Sequence, residues 1–299
     1  MSPPWGLEMA SPMSVMGRSV PSLFSSDGRA RCDGGSVASM LLPVDPRLSF
    51  DSVVEAYDEV RPTYPAEMFE ALFELLPPEH DVVEVGPGTG QATQDLLARG
   101  AVVHAVEIGP AMAAKLRSNL PSDRLRVSVG DFEEMDIEAG SADAVFSATA
   151  YHWISPMAQR DRPAAILRPD GILAIVDLIQ VDSPDDRGFF AAAQPLYEQY
   201  GQGHSGPPAP SRDKVEPEIR AALRTDSRFD DLRVRFYDWN QTYRASDYRK
   251  LMLSYSSTQM MNEDDRNDLL NAMEAFINER FGGHVTRPLV VTLTTARRM

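Results

Sequence analysis

The stretch DVVEVGPGTGQAT, residues 81–93, sets three glycines in five positions directly behind a run of valines. The valines read as a short strand buried on both faces, and residues 91–99 read as the helix that follows it. Gly86, Gly88 and Gly90 therefore fall in a strand-to-helix turn at the carboxyl end of a strand, where open α/β sheets bind ligands. A residue without Cβ tolerates positive φ there and lets a ligand touch the main chain. Taken alone, the same turn is equally a tight loop with at most one functional glycine.

Outward from this turn, strand and helix patterns alternate. Strand-like runs occupy 82–85, 102–107, 125–131, 142–148 and 171–177, with helical patterns at 110–120 and 155–167 between them. Short valine and isoleucine runs separated by helices of ten or more residues imply parallel strands joined by crossovers, so the expected fold is a doubly wound α/β sheet. Ahead of it, Val53, Val54, Tyr57 and Val60 recur at helical spacing, and the pattern resumes through Met68, Leu72, Leu75 and Leu76 after Pro62 and Pro65. This is a leading helical segment.

Composition excludes several functions. The 299 residues carry a formal net charge of −15, which opposes partners whose binding rests on neutralising phosphates, so neither nucleic acid nor an anionic membrane is an expected partner. Cys32, the single cysteine, permits no internal disulfide and no zinc cluster, and no metal site is expected. Residues 1–46 are rich in Ser, Gly, Pro and Met without any period and are expected to form a disordered tail. No apolar run reaches the ~18 residues that span a bilayer, and a cytoplasmic location is expected.

Two cofactors compete for the glycine turn. A dinucleotide fingerprint would place its third glycine at 91 or 93, where the chain has Gln91 and Thr93. The segment EVGPGTG at 84–90 instead resembles motif I of the class I S-adenosylmethionine-dependent methyltransferases. Further residues carry the resemblance from about Phe50 onward, and it is similar in particular to the small-molecule group with carboxyl methyltransferases of the trans-aconitate type and tailoring enzymes of secondary metabolism. VVHAVEIGP ends its strand at Glu107, an acid able to accept hydrogen bonds from ribose hydroxyls of either cofactor. VGDFEEM supplies Asp131 and Phe132, which the resemblance implies receive the adenine amino group and lie beside its ring. SATAYHWI and LRPDGILAIVD match the approach to the fourth and fifth strands.

The family likeness implies S-adenosylmethionine as cofactor, a small-molecule methyl acceptor, and a seven-stranded, mostly parallel Rossmann-like sheet with a helical insertion. On this reading residues 47–299 form one domain, with a cofactor half at about 47–178 and substrate and lid elements at about 180–285. Glu84 is implied to hold the amino group of the methionine part. AYDEVRPTYP at 56–65 resembles the segment that closes over the cofactor, with Tyr57 and Arg61 facing inward, Arg61 suited to a carboxylate, and Tyr64 a weaker participant.

Methyl transfer needs a base only when the acceptor sheds a proton, and His152 in TAYHWIS is the best placed side chain for that role. Trp153 beside it is expected to be core. Beyond 180 the chain carries Phe189, Phe190, Leu196, Tyr197 and Tyr200 on a helical stretch, then a hinge with Gly201, Gly203, Gly206, Pro207, Pro208 and Pro210. These suit a lid over an apolar ligand or an ordinary packed helix. Residues 232–243 and 288–298 alternate as strands, 245–256 and 263–283 as amphipathic helices, and Trp239 and Tyr255 are expected in the core. Whether methyl goes to O, N or C is open, as are the acceptor's identity and the oligomeric state. So are an RNA or protein acceptor and a methyltransferase-like protein that binds the cofactor without transfer.

Overall fold

A computed structural model describes residues 46–203 and 209–299. Cys32, the rest of the expected tail up to residue 45, and Gly206, Pro207 and Pro208 of the expected hinge lie outside the described residues. Pro46 opens a 3-10 turn, Pro46–Val53, that leads into α1 (Val54–Val60).

The elements alternate as their periodicity predicts. After α2 (Ala66–Phe73) come β1 (Asp81–Val85), α3 (Thr93–Ala98), β2 (Val102–Glu107), α4 (Pro110–Asn119), β3 (Leu125–Val129), β4 (Ala142–Ala148), α5 (Ala158–Ile166) and β5 (Leu167–Gln180). The later half contains α6 (Phe189–Gln199), α7 (Ile219–Arg224), β6 (Phe229–Arg244), α8 (Ala245–Leu253), α9 (Ser256–Gln259), α10 (Glu263–Arg280) and β7 (His284–Arg298). The six-residue α7 has too few turns to show a period in sequence, yet Ile219 and Leu223 are buried against the sheet.

One seven-stranded sheet runs β3-β2-β1-β4-β5-β7-β6. β1 through β5 pair in parallel, and β7 enters antiparallel between β5 and β6. Strand order reverses direction between β1 and β4, so the carboxyl ends of these two strands flank the crevice typical of open α/β sheets. Because β7 is antiparallel, its start meets the carboxyl end of β5, with Gln180 opposite Leu289.

Apolar side chains fill both faces. Met68, Phe69, Leu72, Leu96, Leu116 and Phe146 pack on one, and Val83, Val145, Ile166, Leu173 and Ile175 on the other. A separate cluster joins α6, α8 and α10 through Phe189, Tyr248, Leu251, Leu269 and Met273, with Phe189 edge-on to Tyr248 and Phe281 at 5.2 Å. Phe189 is thus a packing residue of a helical cap. Tyr255 bridges this cap cluster and the sheet core, against both of which it is partly buried. Trp239 packs against the sheet core as expected. No helix of the described residues is long and apolar enough to cross a membrane.

Candidate functional site

The glycine turn begins by extending the β1 ladder: the Gly86 N–H donates to Val106 O at 3.0 Å. Gly86 sits at φ +66°, and a Cβ on it would lie 2.4 Å from that of Ala150, so the turn presses against the end of β4. Gly88, at φ +59°, brings its main chain to the ring of Tyr57, where an added Cβ would meet Cε1 at 3.3 Å.

Glu107 ties this turn to the next strand. Its Oε2 accepts from the Gly88 N–H at 3.0 Å and its Oε1 from the Gly109 N–H at 2.9 Å. Burial pushes its carboxyl up to about 7, against the two main-chain donors that favour ionisation. Glu84, on β1 and almost wholly enclosed, accepts from Thr93 Oγ1 at 2.7 Å. Burial raises it further, to about 8, with the hydroxyl opposing and the Glu107 charge adding to the shift.

The leading segment is clamped over this turn by contacts that sequence periodicity does not show. Gly109, at the start of α4, has no capping side chain of its own, and Asp51 supplies the cap, its Oδ1 accepting from Ala111 and Met112 N–H at 3.1 and 3.0 Å. Lys115 pairs with Glu55 at 2.8 Å. Tyr57 is thereby held over Gly88, and burial raises its phenol above the ordinary range.

A cavity of about 880 Å³ opens between these elements. Eight of the predicted residues line it: Tyr57, Arg61, Gly86, Gly88, Glu107, Asp131, Phe132 and His152. Glu84 lines an adjoining cavity of about 370 Å³ that shares Tyr57, Arg61, Gly86 and Thr149 with the first.

Gly90 differs from its predicted place. It lines neither cavity; at φ +109° its Cα faces Leu116 and Leu120, whose methyl carbons would lie 2.9 and 2.8 Å from an added Cβ. Close packing of the turn on α4 is its visible role. Gly90→Ala is expected to lower stability by about 1–3 kcal/mol, with ligand affinity at the turn changed no more than a few-fold. Thermal unfolding and calorimetry on the same variant would check both halves.

Two charged side chains are already engaged. Asp131 Oδ2 pairs with Arg47 at 2.8 Å, while its Oδ1 accepts from the Glu133 N–H at 2.9 Å. Arg61 donates from Nε to Ser254 Oγ at 3.1 Å and from Nη2 to Ser254 O at 2.6 Å, and its guanidinium lies 4.5 Å from the Tyr57 ring centre. Trp153, expected in the core, lines the cavity beside Phe50 at 6.4 Å, and its neighbour Tyr151 takes the buried position. A three-residue 3-10 turn, Tyr151–Trp153, sets that choice of faces.

Sequence reasoning missed Arg47, Phe50, Met112, Thr149 and Ile154 in the lining. Thr149 is held at φ +57°, a backbone region that a β-branched residue occupies only under strain. The Thr149 N–H donates to Val176 O at 2.8 Å, and its Oγ1 lies 3.2 Å from Tyr64 Oη, which gives Tyr64 a supporting place. No local sequence signal marks this strain. Phe50 and Arg47 precede the helical pattern and gain their places through the clamp on α4.

The sheet order, the glycine turn at the β1 end and the acids ending β2 and following β3 define a class I methyltransferase fold of Rossmann-like type. Residues 83–175, from β1 into β5, match the family of methyltransferase domains. An uncharacterized methyltransferase of Mycobacterium tuberculosis is 41% identical over 132 residues, 44% of this chain and 53% of the relative. The malonyl-[acyl-carrier protein] O-methyltransferase of Halorhodospira halophila is 34% identical over 164 residues, 52% of this chain and 50% of its own length. The chain thus spans about half the length of these curated relatives. A candidate methyltransferase of an antibiotic biosynthesis pathway from Anabaena variabilis shares the fold at a TM-score of 0.53 and 17% identity, over 78% of this chain and 98% of that one.

Proposed function

We propose that the protein is a cytoplasmic S-adenosylmethionine-dependent methyltransferase that transfers methyl to O, N or C of a small organic molecule. One observation carries the reading: the Gly88 and Gly109 N–H groups point at the buried Glu107 carboxylate. A pyrophosphate would need such donors for itself and would meet an acid instead. Glu107 offers acceptors to the ribose hydroxyls of either cofactor, so the preference for one without phosphates rests on the Gly88 donor being already taken.

The other residues fit the same cofactor. The bare main chain of Gly88 lies on the cavity wall under Tyr57, where an added Cβ would crowd the ring, and Phe132 and Asp131 stand together on the wall for a purine. Glu84 is an enclosed acid suited to a cationic amine, and Arg61 a guanidinium suited to a carboxylate. When bound, the cofactor supplies a methyl group activated by a sulfonium leaving group. The chain's task is alignment and exclusion of water, for which Phe50, Tyr57 and Trp153 enclose the cavity.

His152 faces the same cavity and is proposed to take a proton from an acceptor that must lose one. On a hydroxyl acceptor His152→Ala is expected to lower kcat by roughly 100-fold with cofactor affinity unchanged. A carboxylate acceptor needs no base, and its rate should be the same in both proteins. A normal rate on a hydroxyl acceptor would remove His152 from the mechanism.

With its carboxyl raised to about 8, Glu84 is largely protonated at pH 7. The ligand-free fold accordingly loses stability as pH rises from the ordinary carboxylate range through about 8. A cationic ligand group favours the ionised form, so binding at pH 7 should release protons, and affinity should rise with pH by up to ~10-fold per unit below 8. Glu84→Gln should release fewer protons. Calorimetry in two buffers of different ionisation heat measures this directly, and an unchanged count would exclude Glu84 from the site.

The function itself is tested by titrating S-adenosylmethionine and then following S-adenosylhomocysteine with a panel of small acids, phenols and amines. Oxygen acceptors come first, in keeping with the relative named as an O-methyltransferase. Binding and turnover are the expected result. Uptake of NAD without S-adenosylmethionine would overturn the reading, and binding without turnover on any acceptor would make the protein a cofactor-binding one. Turnover on RNA or protein alone would replace the acceptor class, which the net charge of −15 opposes for RNA.

A further inference from the structure

Arg287 of β7 is a cation with 4% of its surface exposed. Its Nε and Nη2 donate to Gln180 Oε1 at 3.2 and 3.0 Å, and its Nη1 to Tyr255 Oη at 2.8 Å. A guanidinium has five N–H groups, so one on each Nη atom is left over. Among the described residues no carboxylate forms an ion pair with it; its neighbours are the phenols of Tyr197, Tyr243, Tyr248 and Tyr255. An enclosed charge without a counter-charge is expensive to maintain, by several kcal/mol as an order of magnitude.

Two further donors lie on the same face of the β6–β7 hairpin. Tyr243 Oη and Trp239 Nε1 are both buried without a hydrogen-bond partner. Arg287 stands opposite Gln241 in the register, which makes Tyr243 and Trp239 its diagonal neighbours across the strands. Buried polar groups almost always find partners, and here the leftover groups are a cation and, diagonal to it across the strands on the same face, an indole N–H and a phenol. That set accepts an anionic oxygen group.

The cluster adjoins the cofactor cavity. Tyr255, which accepts from Arg287, presents its ring to the Arg61 guanidinium at 5.3 Å, and Arg61 lines both cavities. Leu178, two residues before Gln180 on the same face of β5, lines the smaller one. We propose that Arg287, with Tyr243, Trp239 and Tyr255, is the recognition site for a carboxylate on the methyl acceptor, so that the substrate is a small organic acid anchored at the start of β7. This rests on the methyltransferase reading and narrows its acceptor class.

The test begins with S-adenosylhomocysteine, whose failure to bind would sink the methyltransferase reading itself. With that ligand saturating, wild-type protein is titrated with hexanoate, benzoate and malonate and with the matching amides. At least one acid should bind, and its amide should bind more weakly. Arg287→Met should lose that acid by roughly 30-fold or more while keeping S-adenosylhomocysteine affinity and gaining or holding Tm. Arg287→Lys should fall between, because it keeps the charge without the fork. Should Arg287→Met fail to fold, Tyr243→Phe, which removes only an unpaired hydroxyl, should fold and bind the acid a few-fold more weakly. Equal binding of acids and amides, no binding of any acid at millimolar concentration, or acid affinity unchanged in both variants would overturn the proposal. So would a large loss of Tm in Arg287→Met with acid binding intact, the result expected of a purely structural tie.

Discussion

Gly88→Val is expected to abolish measurable binding of S-adenosylmethionine, a loss of roughly 1,000-fold or more, while the protein still folds. Three causes act together. At φ +59° a β-branched residue is strained, at a cost of about 1–3 kcal/mol. The new Cβ would stand 3.3 Å from Tyr57 Cε1 and 3.4 Å from its hydroxyl. That ring has little room to retreat, since Arg61 lies 4.5 Å over it and Phe50 meets it edge-on at 5.9 Å. The valine methyls would then project into the cavity. Calorimetry with purified protein checks affinity, and Tm should drop by no more than the strain implies. Affinity within a few-fold of wild type would remove the glycine turn from the site. The contrast with Gly90→Ala, which should weaken the fold and spare the ligand, separates a glycine that faces the cavity from one that faces α4.

Glu107→Ala should lower cofactor affinity by roughly 300-fold or more. The side chain has two jobs, and alanine removes both. It offers acceptors to the ribose, and it holds the Gly88 and Gly109 N–H groups, each of which becomes a buried donor without an acceptor at about 1–3 kcal/mol. Relief from burying an acid whose carboxyl already sits at about 7 offsets part of the loss in stability but none of the loss in binding. Glu107→Gln should be intermediate. Its carbonyl can keep one main-chain donor, and its NH2 then faces the other, so the turn is only half supported. Wild-type affinity in both variants would show that the acid is a structural tie between β1 and β2 and nothing more.

Much of this site is legible along the chain because its parts repeat with the fold. β1 and β2 are largely buried runs of valine and alanine, and each ends where its run ends, which places Gly86, Gly88 and Glu107 at one edge of the sheet; Asp131 follows the partly exposed β3 at the same edge. Glu84 was named only through the family resemblance of its motif, and the structure places it, enclosed, on the smaller cavity. The places of Trp153 and Gly90 were not legible. A 3-10 turn of three residues has no period from which to tell Tyr151's face from Trp153's, and a glycine's neighbour across space leaves no mark beside it in sequence. Thr149 is hidden more completely, since strain at a strand end depends on what overdetermines it, here Tyr64 and Val176.

The sequence by itself determined the class of fold, the strand ends that carry the acids, and the turn that leaves the main chain bare. These follow from local patterns of burial and from residues whose backbone freedom is intrinsic. Only the tertiary structure decided how those pieces are held and what stands opposite them: Asp51 capping α4, Arg47 on Asp131, Arg61 on Ser254, and Arg287 among tyrosines with no ion-paired carboxylate among the described residues. Each joins residues from 61 to 193 positions apart or draws on several strands at once, and no periodicity encodes a partner at that distance.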